Sequence, residues 1–331
     1  MTDQSYPYAE MPIGIQGHYS DLNELDAALR GWHIDNLQLE AGKLDAVVMQ
    51  VHHPRFILTR GVYNRKIDQQ GAAPAGYRTF GITTGGDGSA KWCGREVDDS
   101  TVLAFGANRQ FEAARPADTI LYTLAISEED LELCGELIGY SVNDELRRDQ
   151  HAAVVCDPRV TKALRQRFTL LCEAIQTHPG MTRSSAAVDE LVMNLPATLV
   201  MALATSKGRA RYSLPRLQYS ALEQARSYIA AHDNQHISTK DLCQVGHATW
   251  NTVNSAFLDY YGITAKRYLT AVRMNAVRRS LRDNPRRPIA EIAAEWGFRQ
   301  VDQFAKLYAR QFGEAPAETR AAQIVTESHI H

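Results

Sequence analysis

Between residues 37 and 127 the apolar positions fall in short extended runs separated by turn chemistry, at 43–52, 55–65, 77–83, 101–105 and 119–127. The last run, from Thr119 through Ile126, is rich in β-branched and aromatic residues. Gly85-Gly86-Asp87-Gly88 supplies a hairpin turn in which positive φ costs little. Short strands at this spacing predict a β sandwich or barrel. Ahead of them, residues 21–30 place Leu22, Leu25 and Leu29 on one face of a helix, with Asp21 positioned to cap it.

After Ser127 the period becomes helical. Ser127-Glu128-Glu129-Asp130 puts a capping hydroxyl and carboxylates at the positive end of a helix dipole. Asp157-Pro158 opens a second helix with the stripe Val160, Leu164, Phe168, Leu171 and Ile175. A third segment, 184–206, carries Val188, Leu191, Val192, Leu195, Leu199 and Leu203, with a kink predicted at Pro196. Such stripes either cover the β domain or pair with a second copy of the chain, and the pattern does not separate the two. Residues 206–215 (SKGRARYSLP) are basic and broken by Gly and Pro, which reads as a linker.

Two similar units follow. In the first, residues 239–245 form a helix, Gly246-His247-Ala248 a turn, and residues 249–262 a second helix that buries Val253 and Phe257 and turns Trp250, Asn251, Asn254 and Ser255 outward. Helix pairs of this kind also occur in plain bundles. The second unit repeats the plan: Ile289, Ile292 and Ala293 form an inner face, Gly297 ends the helix, and Phe304 and Tyr308 repeat the spacing of Val253 and Phe257. A basic helix containing Lys266, Arg267, Arg278, Arg279 and Arg282 joins the units. Recognition helices entering one face of a duplex must lie about 34 Å apart.

Charge sharpens this picture. Residues 1–206 hold 18 Lys and Arg against 27 Asp and Glu, whereas residues 207–320 hold 18 against 10. A basic back half suits a polyanionic partner through counterion release, although uneven charge on two solvated surfaces gives the same count. With 44% hydrophobic and 22% charged residues and no long apolar run, the 331-residue chain is excluded from the transmembrane, collagen-like and wholly disordered classes. MTDQSYPYAE lacks a basic segment and an apolar run, and the five cysteines form no CxxC, so the expected address is a reducing cytoplasm.

Over residues 216–320 the sequence resembles the AraC/XylS family of transcription regulators. The resemblance rests on Ile289-Ala290-Glu291-Ile292-Ala293, Trp296-Gly297-Phe298, Phe304, Phe312-Gly313, Pro316 and Arg320, preceded by Asp241-Leu242-Cys243, Phe257, Tyr261-Gly262-Ile263, Arg273 and Ala276. Residues 269–281 (LTAVRMNAVRRSL) look most like the ethanolamine-operon regulator branch. The resemblance implies an α+β multidomain protein with an N-terminal cupin-like β barrel or sandwich and a C-terminal all-α double helix-turn-helix domain. The expected layout is a sensor or dimerisation domain at 1–127, a helical connector at 128–206, a linker at 207–215, the DNA-binding domain at 216–322 and a tail at 323–331.

It also implies double-stranded promoter DNA, RNA polymerase, a second copy of the chain and a small-molecule effector as partners, with no membrane. The expected DNA-contacting residues are Thr249, Trp250, Asn251, Asn254 and Ser255 in the first unit and Arg299, Gln300, Asp302, Gln303, Lys306 and Arg310 in the second. The amides suit bidentate pairing with adenine, and the cations suit phosphates. The chain departs from the family where Asn251 and Ser255 replace the frequent Arg, where Thr264-Ala265 replaces a Pro, and where Thr319 replaces a Tyr.

Tyr63, Arg78, Phe80, Trp92, Phe105 and Phe111 are the candidate effector-binding residues, with Arg78 the expected partner of a carboxylate. No catalytic residue, metal or cofactor is expected. The HxH with downstream Glu and His of a cupin metal site is absent, and His52-His53 on a strand point to opposite faces. HExxH, GxSxG and phosphate-binding loops are also absent.

Overall fold

A computed structural model of the chain describes residues 13–321 apart from 54, 87–89, 107–108, 143–150, 179–184 and 233–236. The predicted turn at Asp87-Gly88 and the tail at 323–331 lie outside the described residues. The chain divides into two compact units, one built from residues up to 35, 45–64 and 69–211, the other from 36–44, 65–68 and the residues from 212 onward.

In the first unit β1 (Ile13–Tyr19), β3 (Ala46–His53), β4 (Phe56–Tyr63), β11 (Thr119–Ile126), β6 (Arg78–Gly85), β9 (Thr101–Ala104), β12 (Ala152–Val155) and β13 (Gly208–Arg209) form one sheet in that order. β2 (His33–Gln38), β5 (Ile67–Ala72), β10 (Gln110–Arg115), β7 (Ala90–Trp92) and β8 (Arg95–Val97) form a second, with the far ends of β2 and β5 belonging to the other unit. The β-rich run at 119–126 is central: β11 pairs antiparallel with β4 from Thr119↔Tyr63 to Ile126↔Phe56, and with β6 from Thr119↔Gly85 to Ile126↔Arg78.

Strand alternation divides the core. On one face of the larger sheet Leu58, Phe80, Ile82, Val102, Tyr122 and Leu124 pack with Leu131, Leu164, Phe168, Leu195 and Leu199. These last residues belong to α2 (Glu128–Ile138), α3 (Pro158–Thr177) and α4 (Ser185–Ala204). The described stripe positions, among them Leu164, Phe168, Leu195 and Leu199, therefore cover the sheet, whereas the side chains of Val188, Leu191 and Val192 lie outside the described residues. Each fully buried Leu or Phe contributes roughly 1.5–3 kcal/mol. The opposite face contributes Leu103, Phe105 and Ala153 to a second cluster with Trp92, Phe111 and Ala113 of the smaller sheet, so this cluster lies between the sheets.

Local chemistry sets the helix starts. Asp21 accepts the Asn23 N–H at 2.8 Å at the head of α1 (Leu22–Ala28). Ser127 accepts the Asp130 N–H at 3.2 Å, and Asp157 accepts the Arg159 N–H at 2.8 Å ahead of Pro158. The stretch read as a linker also contributes structure, since Gly208 and Arg209 pair with Val155 and Val154.

The second unit is helical: α5 (Arg216–Ala231), α6 (Thr239–Val245), α7 (Trp250–Tyr261), α8 (Ala265–Asp283), α9 (Ile289–Glu295) and α10 (Val301–Phe312). Two segments from the front of the chain belong to it. Gln38 and Gln311 exchange side chain to carbonyl hydrogen bonds at 3.0 Å in both directions, Gly42 N–H donates to the Gln311 carbonyl at 3.0 Å, and Asn275 Nδ2 donates to the Gln38 carbonyl at 3.1 Å. Gly313 adopts φ 72°, and a Cβ there would meet the Lys43 nitrogen at 2.9 Å, so only glycine suits both the backbone and the contact.

Candidate nucleic-acid interface

Each half of the helical unit holds a helix-turn-helix. In the first, Ser238 and Asp241 form a capping box at the head of α6. Gly246 ends that helix, His247 takes φ 45° in the turn, and Thr249 starts α7 by accepting the Thr252 N–H at 3.3 Å. Leu242, Val253, Ala256 and Phe257 are buried at the crossing. In the second, Gly297 with φ 83° makes the turn after α9, and Ile292, Ala293, Phe304, Tyr308 and Phe312 close a core with Met274, Val277 and Leu281 of α8. α8 has 19 residues, which makes it about 28 Å long.

Burying Val253 and Phe257 leaves the start of α7 outward. Thr249, Trp250 and Asn251 are exposed, whereas Asn254 and Ser255 are half-buried. The Asn254 side-chain oxygen accepts the Ala265 N–H at 3.3 Å and so ties α7 to the start of α8. Burying Phe304 and Tyr308 in the same way leaves Arg299, Gln300, Asp302, Gln303, Lys306 and Arg310 exposed. Gln300 precedes α10 without a side-chain capping bond, and Asp302 supplies the acidic group of its first turn. Arg310, Lys266 and Arg267 also line a groove of about 380 Å³, together with Leu39, Thr270 and Met274.

Two of the departures noted in the sequence, Thr264 and Thr319, have local partners. Thr264 caps α8 by accepting the Arg267 N–H at 3.2 Å. Thr319 is buried, bonded to the Tyr308 hydroxyl at 2.9 Å and donating to Glu314 at 2.5 Å. Glu314 in turn holds the buried Arg278 at 3.0 Å, whose guanidinium lies 4.6 Å from the Phe312 ring centre.

The six residues expected to bind an effector do not share one place. Trp92, Phe105 and Phe111 come together, with Trp92 and Phe111 stacked at 5.1 Å and Trp32 edge-on to Phe105 at 5.5 Å. Phe80 points to the helix-covered face, and Arg78 Nε lies 3.1 Å from Glu128. Tyr63 lies under a residue that the sequence reading did not single out, Arg115, whose guanidinium is 5.0 Å from the Tyr63 ring centre. Arg115 is 5% exposed and donates to Gln69 Oε1. Burial lowers its pKa, countered by Tyr63, while burial raises the pKa of the Tyr63 phenol against the pull of Arg115. The signal in the sequence was the alternation Phe111, Ala113, Arg115 along β10, which places all three on one face.

Five buried polar atoms on this side of the sheets have no hydrogen-bond partner among the described residues: Arg115 Nη1, Trp32 Nε1, Trp92 Nε1, Thr79 Oγ1 and Thr123 Oγ1. A buried polar group left so costs about 1–3 kcal/mol. Among the described residues no group of three or more His, Cys, Asp or Glu could hold a metal ion, and no helix is long and apolar enough to cross a membrane.

Comparison with known proteins places residues 242–322 in a family described as a helix-turn-helix domain. The chain is 28% identical over 148 residues to the probable thc operon regulatory protein of Rhodococcus erythropolis, covering 44% of this chain and 43% of that protein. It is 28% identical over 101 residues to the XylDLEGF operon transcriptional activator of Pseudomonas putida, covering 30% of this chain and 32% of that one. In each case the match spans less than half of the relative. Among solved structures, the AraC-like transcriptional activator CuxR aligns at 12% identity with a TM-score of 0.42, over 78% of this chain and 95% of that chain. An AraC-type transcriptional regulator from Chromobacterium violaceum aligns at 25% identity with a TM-score of 0.30, over 31% and 91%. Residues 242–322 are thus a helix-turn-helix domain, and the chain is similar in part to transcription regulators.

Proposed function

We propose that this protein is a cytoplasmic, sequence-specific DNA-binding regulator, acting as an activator at a promoter and controlled by a small molecule bound in its β domain. The observation that carries the reading is the repeated exposure of polar residues on α7 and α10, each produced by burial of two side chains four residues apart. Asn251 and Gln303 read base edges, and Arg299, Lys306 and Arg310 hold phosphates. Effector binding favours one arrangement of the chain and shifts promoter occupancy, or contact with RNA polymerase, through its differential affinity.

Homodimerisation is part of the proposal. Leu133 and Leu137 on α2 and Leu170 on α3 are 45%, 76% and 64% exposed, apolar area that a second copy would cover. The run at 269–281 supports a lineage near the ethanolamine-operon regulators and says nothing of the ligand.

Selection of genomic fragments by the purified full-length protein, repeated across a salt series, tests the reading. One recovered promoter motif supports it. Salt-sensitive retention without a motif leaves a nonspecific DNA binder, and no retention at any salt rejects the reading.

A further inference from the structure

The larger sheet turns two different faces to its surroundings. Phe80, Ile82, Tyr122 and Leu124 fill the helix-covered face with large apolar groups. Alternation sends their neighbours Thr79, Gly81 and Thr123 to the other face, toward the smaller sheet. A Cβ on Gly81 would meet Phe105 at 3.4 Å and Thr123 at 3.5 Å, which confirms the side. Thr59 and Gly61 of β4 share it with Tyr63. Beside the aromatic cluster, β4, β6 and β11 thus present small and hydroxylated residues to the interior between the sheets, where packing alone favours Val, Ile and Leu.

Arg115 brings a full positive charge to this interior. Its contacts are Gln69 and the Tyr63 ring, both neutral, and among the described residues no carboxylate pairs with it. A buried cation needs a counter-charge, and one guanidinium balances a monoanion better than a dianion. The unpartnered Thr79, Thr123 and Trp92 atoms add neutral hydrogen-bonding groups on the same side. Four residues along β10 from Arg115, about 13 Å of strand, Phe111 stands in the aromatic cluster with Trp92 and Phe105.

We propose that the interior between the two sheets binds a small organic carboxylate with an apolar or aromatic body. Arg115 holds the carboxylate, Thr79 and Thr123 bond to it or to its substituents, and the Trp92, Phe105 and Phe111 rings take the body. This deepens the sensor half of the proposed function and assigns the cation to Arg115, while Arg78 stays with Glu128.

The test titrates the full-length protein with acetate, hexanoate, phenylacetate and 3-phenylpropionate, each beside its uncharged amide, with inorganic phosphate as a further arm. Binding is followed by calorimetry and by tryptophan fluorescence, to which Trp32 and Trp92 contribute beside Trp250 and Trp296. At least one carboxylate is expected to bind saturably and at least about tenfold tighter than its amide, a preference that Arg115→Gln abolishes and Arg115→Lys largely keeps. Thr123→Val, which preserves shape, is expected to weaken the same carboxylate about three- to tenfold. Circular dichroism of each variant confirms the fold.

Equal binding of acid and amide, failure of every carboxylate, tighter binding of phosphate, or selectivity that survives in folded Arg115→Gln would each overturn the proposal. DNA retention is measured separately, on the protein with and without the carboxylate. Carboxylate binding without DNA retention in either state would sink the regulator reading and leave the carboxylate site standing, and the reverse result would do the opposite.

Discussion

The hydroxyl of Tyr268, at the start of α8, donates a 2.6 Å hydrogen bond to Oδ2 of Asp68, 200 residues earlier in the chain. Asp68 is 2% exposed and also takes the Tyr261 hydroxyl at 3.2 Å and Arg226 Nη2 at 3.5 Å. One carboxylate therefore joins α5, the end of the first recognition helix and the linking helix within a single compact unit. Desolvation opposes charge on Arg226, but Asp68 and the surrounding tyrosines outweigh it and hold the guanidinium protonated.

Replacing Asp68 with Asn leaves Arg226 buried beside a neutral group. The expected loss is about 3–5 kcal/mol of stability. Tyr268→Phe removes one hydrogen bond to a charged acceptor and is expected to cost about 1.5–3 kcal/mol. Urea unfolding of the full chain, followed by helical circular dichroism, measures both, and an unchanged midpoint in Asp68→Asn would deny the pair its structural role.

Asn251 and Asn254 lie three residues apart and are expected to behave differently. Asn251 is exposed, so Asn251→Ala should cost about 1–3 kcal/mol at a selected site with little effect on unrelated DNA, and Gln303→Ala should do the same from α10. Asn254 is bonded to the Ala265 N–H. Its Ala variant should lose about 0.5–2 kcal/mol of folding stability, as helix-cap replacements do. Gel-shift titrations on specific and scrambled fragments, with melting curves, separate the two effects.

Arg299, Lys306 and Arg310 should act through phosphates. Replacing any one with Ala is expected to weaken all sequences alike and to reduce the slope of log affinity against log salt by about 1. Anisotropy titrations across a salt series give that slope, and a loss confined to the cognate site would make the residue a base reader.

Thiol reactivity checks the core of the first unit. Burial pushes the Cys156 and Cys172 thiols up to about 12, whereas Cys93 and Cys243 are only half-buried. Alkylation of native protein at about pH 8 should therefore mark Cys93 and Cys243 first and leave Cys156 and Cys172 intact. Their share of thiolate grows as pH rises toward the elevated pKa, so labelling should increase with pH and become rapid on unfolding. Mass spectrometry of the peptides reads out the order.

The parts of the structure that were legible in the sequence are those fixed by local chemistry. Asp21, Ser127 and Asp157 mark helix starts because a capping oxygen must stand one residue ahead of the first turn. The run at 119–126 announces a strand by its branched and aromatic residues. β12 did not, because Ala152-Ala153-Val154-Val155 is short, small and apolar without alternation. Long-range partners were also hidden. Nothing local to Asp68 or Gln38 indicates that each pairs with helices more than 150 residues away. Arg115 went unread for the same reason: its neighbours on β4 and β5 are set by sheet order, which the period of one strand does not specify. On the recognition helices, by contrast, periodicity sufficed to separate Phe304 and Tyr308 from Gln303 and Lys306.

Joint reading of DNA by α7 and α10 is tested most directly by hydroxyl-radical footprinting on a selected fragment, supported by methylation interference at major-groove guanines. The expected result is two contacted segments on one face of the duplex with centres about 10 base pairs apart, the inner or outer one lost selectively in Asn251→Ala and the other in Gln303→Ala. A single contacted segment unaffected by one of these changes, or two segments on opposite faces, would contradict the account.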